Sequence, residues 1–144
     1  MKILSNNNNL SSSDKAVARF LLADDDTRNK TLKLVPVVVD GPWIVRQVVG
    51  GKPAIVGNKI PVQYVYGGPE SCGDGREYLE ADMDVVSSVA GRGILNVVQK
   101  HTENLTLDLG FVVEAKNDDE LPEQMLGSFR FHGIKQSTAA PYPS

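Results

Sequence analysis

The sequence predicts an α+β domain: an antiparallel β-sheet with a long helix packed across one face in a helix-grip-like arrangement, plus a short N-terminal helix. Three observations predict it. Segments that alternate apolar and polar residues recur along the 144-residue chain, which is the period of half-buried strands. A stretch from Ser88 to about Glu103 spaces Val89, Ile94, Leu95, Val97 and Val98 as one face of a helix. Turn clusters such as Asp40-Gly41-Pro42 and the loop from Gly67 to Gly75 separate the elements. There is no internal repeat and no sign of a second domain.

Residues Ser5 to Ser13 are polar and low in complexity, and 1–13 reads as a disordered leader. The domain is expected over residues 14–135, with a frayed tail at 136–144. Val17, Phe20 and Leu21 fall at helical spacing, with Ser13 or Asp14 as the cap and Asp24, Asp25 and Asp26 as the stop. Thr31 to Val39 is β-branched and reads as a strand; Pro36 inside it points to an edge or a bulge. Trp43 to Val49 and Lys59 to Tyr66 read as further strands, joined by a connecting segment from Lys52 to Gly57.

The centre of the chain is Arg76 to Leu109. Tyr78, Glu80, Asp82 and Asp84 alternate with Leu79, Ala81, Met83 and Val85, so acids line one strand face and apolar groups the other. Ser87 and Ser88 then offer hydroxyls to the free N–H groups of a helix start. Leu105 to Ala115 and Met125 to Ile134 close the sheet, the latter with Phe129 and Phe131 on one face and Ser128, Arg130 and His132 on the other.

Composition excludes several functions. A net charge of −3 is not that of a general nucleic-acid binder. Cys72 is the one cysteine, so the fold needs no intrachain disulfide, and it reads as an incidental surface thiol. No apolar run approaches a membrane span and the N-terminus lacks a signal peptide's apolar core, which predicts a cytoplasmic chain, peripheral to a membrane at most.

Glu80, Asp82 and Asp84 form the sharpest acidic cluster. Along an extended strand their side chains stand roughly 7 Å apart, too wide to share one cation. A solvated face balanced by Arg46 and Arg130 is the expectation. His101 and His132 have no nucleophile or metal-site spacing beside them, and Gly91-Arg92-Gly93 and Val56-Gly57-Asn58-Lys59 lack a phosphate-loop frame. Neither catalytic, metal nor cofactor residues are predicted. Trp43 reads first as a core anchor. Alternatively it lines a pocket or sits at a bilayer interface, where Arg46 and Lys52 would meet an acidic head group.

The order of short motifs carries more. Lys33-Leu34-Val35-Pro36, Gly41-Pro42-Trp43-Ile44-Val45, Val49-Gly50-Gly51-Lys52-Pro53, Tyr78-Leu79-Glu80-Ala81-Asp82-Met83-Asp84, Leu107-Asp108-Leu109-Gly110-Phe111 and Glu120-Leu121-Pro122-Glu123-Gln124-Met125-Leu126-Gly127 follow one another. From Asp24 to His132 the chain resembles the C-terminal domain of the plant enhanced disease resistance 2 proteins. That resemblance implies a regulatory, non-enzymatic module. In the plant relatives the domain follows a pleckstrin-homology domain and a lipid-binding START domain, which ties the family to phosphoinositide-bearing membranes and to restraint of defence. Gly68 to Arg76 stands as an insertion against the family's short hairpin. The family's domain also begins upstream of the first helix, so the resemblance implies an N-terminally truncated domain with an open sheet edge or half a cavity, suited to a protein partner or to self-association. The leading expectation is a lipid- or membrane-associated regulator; the alternative is a protein-interaction module without a lipid ligand.

Overall fold

The computed structural model describes residues 10–71, 73–138 and 140. The expectation for Cys72 and most of that for the leader and the end of the tail fall outside them. Helices α1 (Ser12–Leu22) and α2 (Asp25–Asn29) lead into strand β1 (Leu32–Asp40), helix α3 (Trp43–Val49) and the short strand β2 (Ala54–Ile55). Strands β3 (Val62–Gly67) and β4 (Tyr78–Met83), helix α4 (Val89–Val98) and strands β5 (Thr106–Val113) and β6 (Met125–His132) follow. The α+β class is as the sequence predicts, and the pairing is antiparallel throughout. The strands divide into two sheets, however: a four-stranded sheet in the order β2-β1-β5-β6 and a separate hairpin of β3 and β4.

Helix α1 begins two to three residues earlier than expected. Ser11 is its N-cap, accepting from the Asp14 amide while the Asp14 carboxylate accepts from the Ser11 amide, a reciprocal capping box. Its far end is held by Arg28, which donates to the Phe20 and Leu21 carbonyls. Asp24 does not simply stop this helix. It caps the next one, accepting from the Thr27 amide at 2.8 Å, which places carboxylates where the helix dipole favours them.

Two cores sit on one face of the larger sheet. Ala16 and Phe20 of α1 pack on Leu32, Val56 and Val113. Val62, Tyr64, Leu79, Ala81 and Met83 of the hairpin close over this group, which leaves Glu80 and Asp82 in water as their alternation predicts. The second core joins Val45 of α3 and Val97 and Val98 of α4 to Val38, Leu105 and Leu107. Pro36 lies where β1 pairs with β5 alone, because β2 reaches only Lys33 and Leu34. Its missing N–H therefore costs the sheet nothing.

Two elements depart from the sequence expectation. Trp43 to Val49 is a helix, not a strand. Its apolar residues also satisfy a helical face: Val45 is fully buried, Ile44, Val48 and Val49 are half-buried, and Arg46 and Gln47 face out. Pro42 opens it and Gly50, at φ 73°, closes it with a left-handed cap. The long helix is also not formed. The helix runs only from Val89 to Val98 and is followed by a 3-10 turn at Thr102–Asn104. The chain must reverse there because Leu105 is drawn into the second core and Thr106 starts the pairing with β1. Among the described residues every helix is short, so the helix-grip detail of the expected arrangement is not established. Among the described residues no helix is long and apolar enough to cross a membrane.

Candidate functional site

The three residues singled out from the sequence lie on α3 and just beyond it. At the end of β1, Gly41 takes φ +147°, and a Cβ there would stand 2.8 Å from the Leu105 side chain. Only glycine turns this corner without displacing the second core. Arg46, on the next helical turn from Trp43, folds back over the corner. It donates to the carbonyls of Val38 at 3.0 Å and of Gly41 and Val39 at 3.3 Å each, with the Asp40 carboxylate at 3.8 Å. These carbonyls lie at the end of β1, where a register shift separates Val38 from Asp40. Arg46 thus completes a frayed strand end and braces α3, rather than balancing the acidic strand as the sequence reading expected.

The brace presents Trp43. Its side chain is 68% exposed, so the core-anchor reading of this residue is overturned: Val45, two positions on, is the buried anchor. Lys52 is exposed beyond Gly50 and Gly51, both at positive φ. The structure joins Trp43 and Arg46 on one helix; Lys52 lies past its other end.

A second exposed apolar corner was not legible in the sequence. The turn into α4 is tightly held: the Ser87 amide donates to Asp84, Arg92 donates to the Val86 and Ser87 carbonyls at 2.8 Å, and Ser88 caps the Gly91 amide while its hydroxyl donates to the Lys59 carbonyl. Gly91 is required, because its Cβ would lie 2.2 Å from the Val85 carbonyl oxygen. This rigid turn points Val86 and Val89 outward, the latter 79% exposed. Val89 was expected on the buried face of the helix. As the first residue after the cap it instead projects past the core. An open depression of about 480 Å³ runs between this turn and residues 57–61.

Strand β6 is the third surface. All eight of its residues are exposed. Phe111 stacks on Phe129 with centroids 6.0 Å apart, and Phe129 meets Phe131 edge-on at 5.0 Å. On the opposite sheet face Arg130 grips Asp108 with two bonds of 2.6 and 2.7 Å, which holds the Asp108 carboxyl below its usual range. Arg130 therefore serves β5 and not the acidic strand. Thr106 hydrogen-bonds the Nδ1 of His132 beside it. An open depression of about 470 Å³ lies on this face around Val35, Val37, Gly110 and Met125.

Among the described residues one charged side chain is buried, and it belongs to none of these three surfaces. Glu120, 3% exposed, takes two bonds from Arg19 at 2.7 and 2.9 Å and one from the Lys116 amide. Those donors, Arg19 foremost, hold its carboxyl down at about 2. The pair fastens α1 to the turn after β5, where Arg19 also donates to the Glu114 carbonyl. Among the described residues no three His, Cys, Asp or Glu side chains converge as a metal site requires.

Surfaces rather than clefts are thus the distinctive features of this small α+β domain. The family model described as "Protein ENHANCED DISEASE RESISTANCE 2, C-terminal" matches residues 2–135. The chain is 37% identical over 121 residues to the Arabidopsis thaliana "Protein ENHANCED DISEASE RESISTANCE 2-like", a match covering 84% of this chain and 16% of that protein. No solved structure matches. The chain belongs to the ENHANCED DISEASE RESISTANCE 2 C-terminal family, and it spans about a sixth of the length of the curated relative it matches.

Proposed function

We propose that this domain is a non-enzymatic regulatory module that works against a lipid or membrane surface. Its family supports regulation. The observation that carries the membrane side is Trp43, held out in water on a helix braced from behind by Arg46. Leaving an indole exposed forgoes burial worth about 25 cal/mol per Å² of apolar surface. The amphipathic ring suits the head-group layer of a bilayer, and Lys52 supplies a positive charge for acidic head groups. Contact at a surface replaces the enclosed ligand cavity that a helix-grip fold would have offered.

Vesicle flotation tests this. The chain is expected to float with phosphatidylcholine vesicles carrying an acidic phosphoinositide, and less well without it. Trp43→Ala should weaken flotation without shifting the melting temperature, since Val45 and not Trp43 fills the core. A chain that stays off both vesicle types, and from which mass spectrometry extracts no lipid, overturns the proposal. A second reading, a protein-interaction module, is favoured by the fully exposed β6.

A further inference from the structure

Strand β6 ends the four-stranded sheet, and its free edge has a definite hydrogen-bonding pattern. The Gly133 amide donates to the Leu105 carbonyl, and antiparallel pairs alternate between bonded and non-bonded positions. Phe131, Phe129 and Gly127 therefore turn their backbone groups toward β5, opposite Leu107, Leu109 and Phe111. Ser128, Arg130 and His132 turn theirs outward, away from the sheet. Such a row is a ready template for another extended backbone.

We propose that the occupant is β6 of a second copy of this chain, paired antiparallel about a two-fold axis at Phe129. Three observations select this register. First, an axis at Phe129 makes Ser128 and Arg130 face each other's counterparts, and both are outward-turned residues that each exchange two backbone hydrogen bonds. Phe129 then meets its own counterpart at a non-bonded position, where side chains stand closest. Secondly, the same register sets Phe131 opposite the counterpart of Gly127. A Cβ at Gly127 would meet nothing within 4 Å, and the residue lies on the same sheet face as Phe129 and Phe131. That open space receives the ring of Phe131 from the second copy, the way an aromatic covers a strand glycine across a pair.

Thirdly, the edge lacks the usual guards. From Met125 to His132 there is no proline and no lysine. The one full charge, Arg130, is already matched within the chain by Asp108, and it faces a serine rather than a second arginine. The bulge at Leu126, which lies between the Gly127–Phe111 and Met125–Val112 pairs, bends the strand only beyond Gly127. It therefore sets the limit of the pairing without interrupting it. The result is a continuous eight-stranded sheet with symmetric, closed association.

Sedimentation velocity of the whole chain, from nanomolar to high micromolar concentration, tests the proposal. A reversible monomer–dimer equilibrium is expected. Ser128→Pro removes an outward N–H that no bond among the described residues uses, and should weaken the dimer at least tenfold. Gly127→Val fills the space meant for Phe131 yet has room for its side chain in the monomer, and should do the same. Both variants should keep the wild-type circular dichroism and melting temperature measured at concentrations where the chain is monomeric. A chain that stays monomeric throughout overturns the proposal. So does a dimer that both variants leave intact, and one that only Gly127→Val leaves intact overturns the register.

Discussion

Strands β5 and β6 are neighbours of equal length, eight residues each, and pair along nearly their whole run. Five of the eight residues of β5 are buried, whereas none in β6 is. Both are rich in apolar residues and both alternate. Their difference is one of place. β5 lies between β1 and β6 beneath both cores, so its Leu107 and Val113 are closed over by helices and hairpin. β6 has a partner on one side only, and α1 and α3 pack over the other strands. The sheet thus has a strand that holds the fold together and a strand left for something else. The same division recurs in the helices, where Val45 is buried and Trp43, on the same turn, is presented.

The largest break in the comparison should come from the buried ion pair that fixes the end of β5. Arg19→Met leaves the Glu120 carboxylate in the interior without its main partner, and is expected to cost about 3–5 kcal/mol, read as a lowered urea midpoint. The same pair sets a pH dependence. Folding lowers the Glu120 carboxyl from 4.5 to about 2, so its contribution is complete above pH 4.5 and fades as pH falls toward 2. Glu120→Gln should flatten the stability profile across that window, and a variant profile as steep as the wild type would contradict the assignment.

Next in size is the direct comparison of the two strands. Leu107→Ala opens the second core and should cost about 2–5 kcal/mol. Phe129→Ala, 45% exposed in the single chain, gives up part of a stacked pair and should cost the monomer only about 1 kcal/mol. Equal losses would mean that β6 is as structural as β5. Smallest is Arg130→Ala. Its bond to Asp108 is exposed and screened, and no change in melting temperature is expected.

Much of β5 is readable directly from Leu105, Leu107, Leu109, Phe111 and Val113, because the face that meets the two cores takes an apolar residue at every second position. The acidic strand and the Ser88 cap are legible for the same reason: each depends on neighbours close in sequence. Trp43 to Val49 is not, because Ile44, Val45, Val48 and Val49 fit a helical face while their β-branching favours a strand. What decides is Val45 docking on Leu105 and Leu107, some sixty residues away in the chain. The separation of the β3–β4 hairpin from the main sheet is equally a tertiary fact. The exposure of Trp43 and Val89 follows from where two corners are braced, by Arg46 and by Arg92, and neither brace leaves a mark in the spacing of residues.

Residue-resolved amide hydrogen exchange measures the difference between the two strands most directly. At low concentration the amides of Leu107, Leu109 and Phe111, and those of Phe129 and Phe131 that turn toward them, should exchange slowly. Those of Ser128, Arg130 and His132 should exchange fast, and those of Ser128 and Arg130 should slow as concentration rises and a second β6 covers them. Ser128 and Arg130 amides that stay fast at every concentration, or Phe129 and Phe131 amides that are as fast as their neighbours, would contradict an edge held ready for a partner strand.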